Sequence, residues 1–403
     1  MLKNINTNYF CLVMVILFVV GCATTVPIQS ISNDTLRSSG MNLGESIDIA
    51  IFELNPGITG RPQDYEKNGI WPELRRAEAR RFSKKIKDSL DLSNAFGSVN
   101  ITPLKSQISD VVISGKIIKS NGEDLHLEIS AKDSTGNFLI QNKVYKHRIN
   151  EYFFRNLRNK DKDPFDDVFN KIAFDLINAL SKSNLSDIKL ISELKFASQL
   201  EPREFSDALK KDRQGRIKTN FIPASDDPTF LRTKNLRSLD IKFTENMQPT
   251  YTNFLSNMEE SYKVWQKASF QASKKQREAE AAAAAQAILG AVILAASVAA
   301  AADSGDGYDF DSSQYAAGLT GAIVGAGLLG SAIGNAEEAK THSEAFKEVS
   351  ESFDNEIAPK VIELEGKNLK LEGSLKQQFS QWKSYLREIY DIENQEINDI
   401  IIL

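Results

Sequence analysis

The groups in this chain that could do chemistry are few: two cysteines, three histidines, one glycine-rich run and one acidic turn. A thiol can serve as nucleophile, metal ligand, disulfide partner or acyl acceptor. Cys11 sits inside an apolar run, and Cys22 follows the small residues of Val19-Val20-Gly21. His126 and His147 fall in strand-like segments and His342 in a helical one. None has a metal-ligand or triad companion at useful spacing. Gly325-Ala-Gly327-Leu-Leu-Gly330 matches the glycine pattern that cradles a dinucleotide pyrophosphate. That mechanism also needs a βαβ unit and an acidic residue about 20 positions on. Glu363 lies too far along, and no parallel strands follow. The run Asp303-Ser-Gly-Asp-Gly-Tyr-Asp-Phe-Asp311 could meet calcium, but it lacks the alternating ligands and final Glu of a calcium loop. No catalytic residue, cofactor or metal is therefore expected, and a nucleotide-dependent enzyme is the alternative from another class.

The N-terminus has the parts of an export signal in order. Lys3 is its only charge, and the apolar run from Phe10 to Val20 is too short to span a bilayer as a helix. It ends in Val19-Val20-Gly21-Cys22. This motif resembles the lipobox of bacterial lipoprotein signals. The resemblance implies that residues 1–21 are removed and that Cys22 is acylated. Ala23, in place of aspartate, implies sorting to the outer membrane. The single cysteine left is then the acylated one, so no disulfide or thiolate site remains.

Loss of Lys3 would move the net charge from −5 to −6, which argues against nucleic acid as a partner. With 26% charged and 41% hydrophobic residues, the chain can bury a core. It divides by pattern. Residues 22–45 read as a lipidated tether, rich in Ser, Asn, Thr and Gly and without an apolar period. Residues 46–150 read as a compact α/β domain. A strand over Ile47–Leu54 is followed by a helix over 73–93, with Ala77, Phe82, Ile86 and Leu90 at helical spacing. Strands follow at Phe96–Ile101, Val111–Lys119, Leu125–Lys132 and Phe138–His147, with turn signals at Asn121-Gly122 and Ser134–Asn137. Arg75, Arg76, Arg80, Arg81, Lys84, Lys85 and Lys87 make one face of the helix basic. That pattern reads as a solvated face, the alternative being contact with anionic head groups or an acidic partner.

The predicted order is β-α-β-β-β. "Ala-Phe-Gly-Ser-Val-Asn-Ile" from Ala95, "Ser-Asp-Val-Val-Ile-Ser-Gly-Lys-Ile" from Ser109 and "Ala-Lys-Asp-Ser-Thr-Gly-Asn-Phe" from Ala131 carry a resemblance. They resemble the periplasmic domain of curli-secretion CsgG-like proteins, TolB N-terminal domains and LpoB-like lipoproteins. The resemblance covers about a quarter of the chain. It implies a protein-binding or ring-forming role without catalysis. The long alternating hairpins of a secretion barrel are missing, so that activity is not implied.

Residues 151–235 read as a helical connector. Asp163-Pro164 starts one helix, Asp187–Leu200 forms a second, and Gln214–Asp227 is a loop with one short strand at Ile217–Ile222. Residues 236–403 read as a long antiparallel helical hairpin. Met247, Tyr251, Phe254, Met258, Tyr262 and Trp265 mark one arm. Ile357, Val361, Leu364, Leu371, Leu375, Trp382 and Ile389 mark the other, and the spacing predicts a coiled-coil seam. An unbroken first arm from Ile241 to Ala302 would be about 90 Å long.

The tip, residues 281–336, holds two uncharged runs of 22 and 25 residues on either side of the acidic turn. Either run is long enough to cross a hydrocarbon core. Ala283, Ala287, Ala291, Ala295 and Ala299 recur every four positions, as do Gly318, Ala322, Ala326, Gly330 and Gly334. Gly321 and Gly325 lie beside that second row. Small residues let helix backbones approach closely. The run from Gly321 to Asn335 resembles the glycine-zipper segments of the 17-kDa surface antigen lipoproteins. Two readings stand: the tip inserts in a bilayer, or it packs in water against its own arm or other copies. The expectation is an α+β, outer-membrane lipoprotein facing the periplasm, with a structural, assembly or partner-binding role. Its partners would be membrane lipid through Cys22 and a second copy or an envelope protein. A soluble periplasmic scaffold with a protein-binding tip is the alternative.

Overall fold

The computed structural model describes residues 28–303, 357–364 and 367–401, apart from 42, 44–45, 66–69 and 161, together with 347, 351 and 354. Side chains are described in the long helix to residue 282, except 276 and 280, and in the C-terminal helix to residue 392.

The elements are α1 (Asn33–Gly40), β1 (Asp48–Phe52), α2 (Pro72–Leu92), β2 (Ser98–Thr102), β3 (Val111–Ser120), β4 (Asp124–Asp133) and β5 (Phe138–Arg148). Then come α3 (Asp166–Leu180), α4 (Leu185–Leu200), the single turn α5 (Pro202–Phe205), β6 (Leu209–Lys211) and β7 (Ile217–Thr219). The long helix α6 (Pro228–Asp303), β8 (Lys360–Leu364), β9 (Lys367–Leu371) and α7 (Leu375–Ile401) complete the described chain.

The β-α-β-β-β order holds. The strands form one sheet in the order β2-β1-β3-β4-β5. β1 pairs in parallel with β2 and with β3, and β3, β4 and β5 are antiparallel. Leu125, Leu127, Ile129 and Ala131 of β4 alternate inward, as a strand with one buried face should. On α2, Leu74, Ala77, Phe82, Ile86 and Leu90 are buried, and Phe82 meets Phe169 of α3 at 5.7 Å. Thus α3 belongs to the same layer as α2.

Three expectations give way here. The tether over 22–45 is not free along its described length. Residues 33–40 form α1, capped by Ser32, whose side chain accepts from Thr35 N–H, and Ile31 and Leu36 are buried. Asn170 donates to the Ile31 carbonyl and Ser30 to Asp167, which fix this segment on α3. Two apolar residues in a polar stretch leave little periodic signal, yet they suffice to dock one short helix. The region 151–235 is no separate connector either. Phe165 to Leu180, Ile188, Phe196 and Leu200 join the core that contains the sheet, while Leu194, Ala197, Phe205, Ala208 and Phe230 form a small second cluster.

The third correction concerns the helical hairpin. Residues 360–371 form the antiparallel pair β8–β9, not a helical arm. Ile357 lies before it, where its N–H donates to the Gly373 carbonyl. Steps of four, three and seven from Ile357 to Leu375 mimic a heptad, but β-branched Val361-Ile362 and the two glycines suit a hairpin better. The seam residues of α6 are all buried, but largely against the sheet domain. Tyr251 donates to Glu53 at 2.7 Å, and Tyr262 donates to Glu78 at 3.3 Å. An apolar stripe does not name its partner, and the sheet's edge offers one.

That edge is β2. Gln248 of α6 accepts from the Ile101 N–H at 2.9 Å and donates to the Ile101 carbonyl at 3.0 Å. One side-chain amide thus stands in for a neighbouring strand and covers the edge. At the far end, Gly122 in the β3–β4 turn has φ +82°, and a Cβ there would come within 2.5 Å of the Ser269 Cβ. Only glycine lets α6 pass so close. The other sheet edge, β5, is exposed along Gln141–Val144 and interrupted at Asn142, with φ +44°. The start of α7 packs on the start of α6: Trp382 stacks on Phe243 at 4.7 Å, and Asp240 accepts from Trp382, Lys383 and Gln107. Among the described residues, no helix is long and apolar enough to cross a membrane.

Candidate functional site

The residues singled out by sequence are spread widely. Cys22, Gly318, Gly321, Gly325, Gly330, Gly334 and His342 lie outside the described residues, as do Gly325–Gly330 as a motif and the acidic turn beyond Asp303. Residues 281–303 are described as helical backbone only, apart from the side chains of 281 and 282. The basic face of α2 is described, and only Arg76 of it is exposed; Lys84, Lys85 and Lys87 are half-buried. Arg75, Arg80 and Arg81 are buried, and so is Glu78.

Burial of these charges has a geometric reason. Arg75, Glu78, Arg81 and Lys85 follow one another at steps of three and four, so they form a row along α2. The row faces α6 and the start of α3. Arg81 donates to Asp163 at 2.7 Å and to Glu259, and its guanidinium lies 4.2 Å from the Tyr262 ring. Lys85 stands 3.4 Å from both Asp163 and Asp166. Glu78 accepts from Ser120 at 2.5 Å and lies 3.9 Å from Arg75. The alternating signs were visible in the sequence. The partners were not, because Asp163 and Glu259 are 82 and 178 residues from Arg81.

The electrostatics follow from burial and pairing. Burial opposes the Arg81 charge, but Asp163, Tyr262 and Glu259 together outweigh it and raise its pKa above the usual value. Burial likewise opposes the Asp163 carboxylate, yet Arg81 and Lys85 hold it below the usual carboxylate range. For Glu78, burial dominates and pushes its pKa up, against Arg75 and the Ser120 hydrogen bond. The Glu53 carboxyl is raised for the same reason, against Arg80 and Tyr251.

Glu53 and Arg80 also line an open cleft of about 680 Å³ at the carboxyl end of β1, together with Lys105, Ser114, Asp354 and Ser374. Arg80 bonds Asp354 and lies 5.4 Å from the Phe254 ring. A carboxyl shifted toward its neutral form beside a guanidinium suits a polar ligand. No imidazole or thiol lines the cleft. His126 and His147 are on the sheet. Burial lowers the pKa of both. Among the described residues, no group of three His, Cys, Asp or Glu side chains could hold a metal.

What this geometry does is join helices to a sheet. Arg237 of α6 donates to Asp110 at 2.7 Å, and Arg277 donates to Glu123 at 2.8 Å, near the two ends of the contact. Compared with known proteins, the chain matches no family model, no curated protein and no solved structure.

Proposed function

We propose that this chain is a lipid-anchored protein of the bacterial envelope, held at Cys22 in the outer membrane and facing the periplasm, with an assembly or partner-binding role. The observation that carries this reading is the ordered signal: Lys3, the apolar run to Val20, and Val19-Val20-Gly21-Cys22. A single short chain anchors weakly, whereas the two or more chains of a bacterial lipoprotein anchor stably. The β-α-β-β-β order is the one on which the resemblance to envelope protein-binding domains rests.

The geometry supports a scaffold. At the α2–α6 junction Arg81 pairs with Asp163 and Glu259, which belong to other segments. Past Arg277, the last described tie to the sheet domain, α6 continues 26 residues to Asp303, about 39 Å of helix. A second copy or another envelope protein would meet that extension or the runs over 281–336.

The test is incorporation of an alkyne-bearing fatty acid in a bacterial host, comparing the wild type with Cys22→Ser. Label on the wild type alone is the expected result, and equal label on both sinks the anchor. A second arm replaces residues 1–22 with a secretory signal and extracts membranes with carbonate. Retention assigns the tip to the bilayer. Release leaves the acyl group as the anchor and the tip as a protein interface.

A further inference from the structure

The strongest exposed charge in the described chain is not on α2. It is on the small β6–β7 hairpin. Residues 209–219, Leu-Lys-Lys-Asp-Arg-Gln-Gly-Arg-Ile-Lys-Thr, hold five cations and one anion in a chain whose net charge is −5. Lys210, Lys211, Arg213, Arg216 and Lys218 are all exposed. Asp212 is the turn's organiser: its side chain accepts from the Gln214 and Arg216 N–H groups, and Gly215 follows at φ +77°. Asp212 also lies 2.9 Å from Arg216 and 3.8 Å from Lys218, so one carboxylate serves two of the five cations.

The hairpin is held rigidly enough to present these charges. Ile217 N–H donates to the Thr135 carbonyl at 2.7 Å, beside the β4–β5 turn. Between hairpin, turn and the start of α4 lies a cleft of about 680 Å³, lined by Arg216, Lys218, Lys182 and Phe138 among others. Asp133 and Asp187 line the same cleft, so the exposed cations of the hairpin itself, not the cleft, carry the positive surface. Burial and then Lys132 lower the pKa of Lys195, Asp133 opposes them, and Lys211 adds to the lowering. Two apolar side chains follow the hairpin directly and face water: Phe221 is 42% exposed and Ile222 64%.

We propose that the β6–β7 hairpin with Phe221 and Ile222 docks on an anionic phospholipid bilayer. Cations beside anionic lipid gain attraction within a Debye length of the surface, and neighbouring apolar side chains sit at the headgroup boundary. An acidic protein would also attract the charges. Lysine, however, is depleted in protein–protein interfaces, and three of the five cations are lysines. The hairpin would hold the body flat against a membrane and set the direction of α6 relative to it. This surface is independent of the acyl anchor.

The experiment uses the full chain carrying Cys22→Ser, which keeps acyl groups out of the measurement and leaves the anchor question untouched. Co-sedimentation is measured with phosphatidylcholine vesicles and with vesicles containing phosphatidylglycerol as well. Any insertion by apolar segments contributes to both. The expected result is preferential binding to the anionic vesicles, weakened by salt. Replacing Lys210, Lys211 and Arg213 by Gln lowers that preference on the order of 100-fold, since each surface cation contributes roughly fivefold. Phe221→Ser with Ile222→Ser weakens binding at low and high salt alike. Circular dichroism confirms that both variants fold. Equal binding to the two vesicles overturns the proposal, and so does a triple variant that binds as the wild type does. Saturable binding of polyglutamate without binding of anionic vesicles assigns the surface to an acidic protein and also overturns it.

Discussion

Replacing Arg81 by Met tests whether the buried charges at the α2–α6 junction hold the molecule together. Met keeps much of the apolar stem and deletes the guanidinium. Asp163, with a side chain only 3% exposed, then loses its 2.7 Å partner. An uncompensated buried charge costs about 3–5 kcal/mol. Lys85 still stands 3.4 Å from Asp163, so the low end, about 3 kcal/mol, is expected. Loss of the desolvated contact with the Tyr262 ring adds about 2 kcal/mol. Asp163→Asn keeps the oxygen that accepts from the Phe165 N–H, so helix α3 retains its start. In the Arg81→Met background, Asp163→Asn removes the stranded charge. The double variant is then more stable than the sum of the singles requires, by at least about 1.5 kcal/mol. Urea unfolding followed by tryptophan fluorescence reads this, because Trp265 lies 5.4 Å from Tyr262. A single-variant cost below about 1 kcal/mol, or strict additivity in the double variant, refutes the reasoning.

Gln248→Leu should leave the Ile101 N–H and carbonyl without their side-chain partner at the sheet edge, at a cost of about 2–3 kcal/mol. Faster hydrogen exchange at Ile101 than at Ile113 in the interior strand β3 is the readout. His147 gives a pH dependence. Its folded pKa is lowered by burial, so its contribution is complete above the unfolded value near 6.5 and is lost as pH falls toward the folded value. Wild-type stability should therefore decline between pH 7 and 5, and His147→Gln should flatten that limb of a denaturation series. Asp124, which burial raises but Arg148 and Lys119 hold low, and Asp163 act at lower pH. Their contribution is present above the unfolded value near 3.9 and disappears as pH drops below it. Leu36→Ala should cost about 2–5 kcal/mol of α1 docking and expose the Arg37 peptide bond to trypsin, which limited proteolysis measures.

Much of the sheet domain could be read from the sequence, because alternation and turn residues are local signals. Asn121-Gly122 marked the β3–β4 turn, and Ser134–Asn137 marked the next. Helical spacing gave the buried row of α2, and it gave the stripe from Met247 to Trp265 on α6. The same method failed at Ile357–Leu371, where heptad steps overlay the local signals of a two-stranded hairpin. It also passed over β6, although five cations in eleven residues were plain to see. Without a place for the segment in the fold, Arg216 and Lys218 read as part of the loop over Gln214–Asp227, and Lys210, Lys211 and Arg213 were given no role.

What the sequence determined by itself is the β-α-β-β-β order and the apolar faces of the helices. Each depends on residues close together in the chain. What only the tertiary structure decided is which surface each face meets. The α6 stripe was assigned to a second helical arm and lies largely on the sheet domain. The α2 cations were assigned to water; Arg76 does face it, but Arg81 lies against Asp163 and Glu259, and Lys85 beside Asp163. The physical reason is that periodicity fixes the direction in which a side chain leaves its element. The charge or surface waiting in that direction comes from a segment 80 or more residues away, and burial reverses the balance between solvation and pairing once that segment arrives.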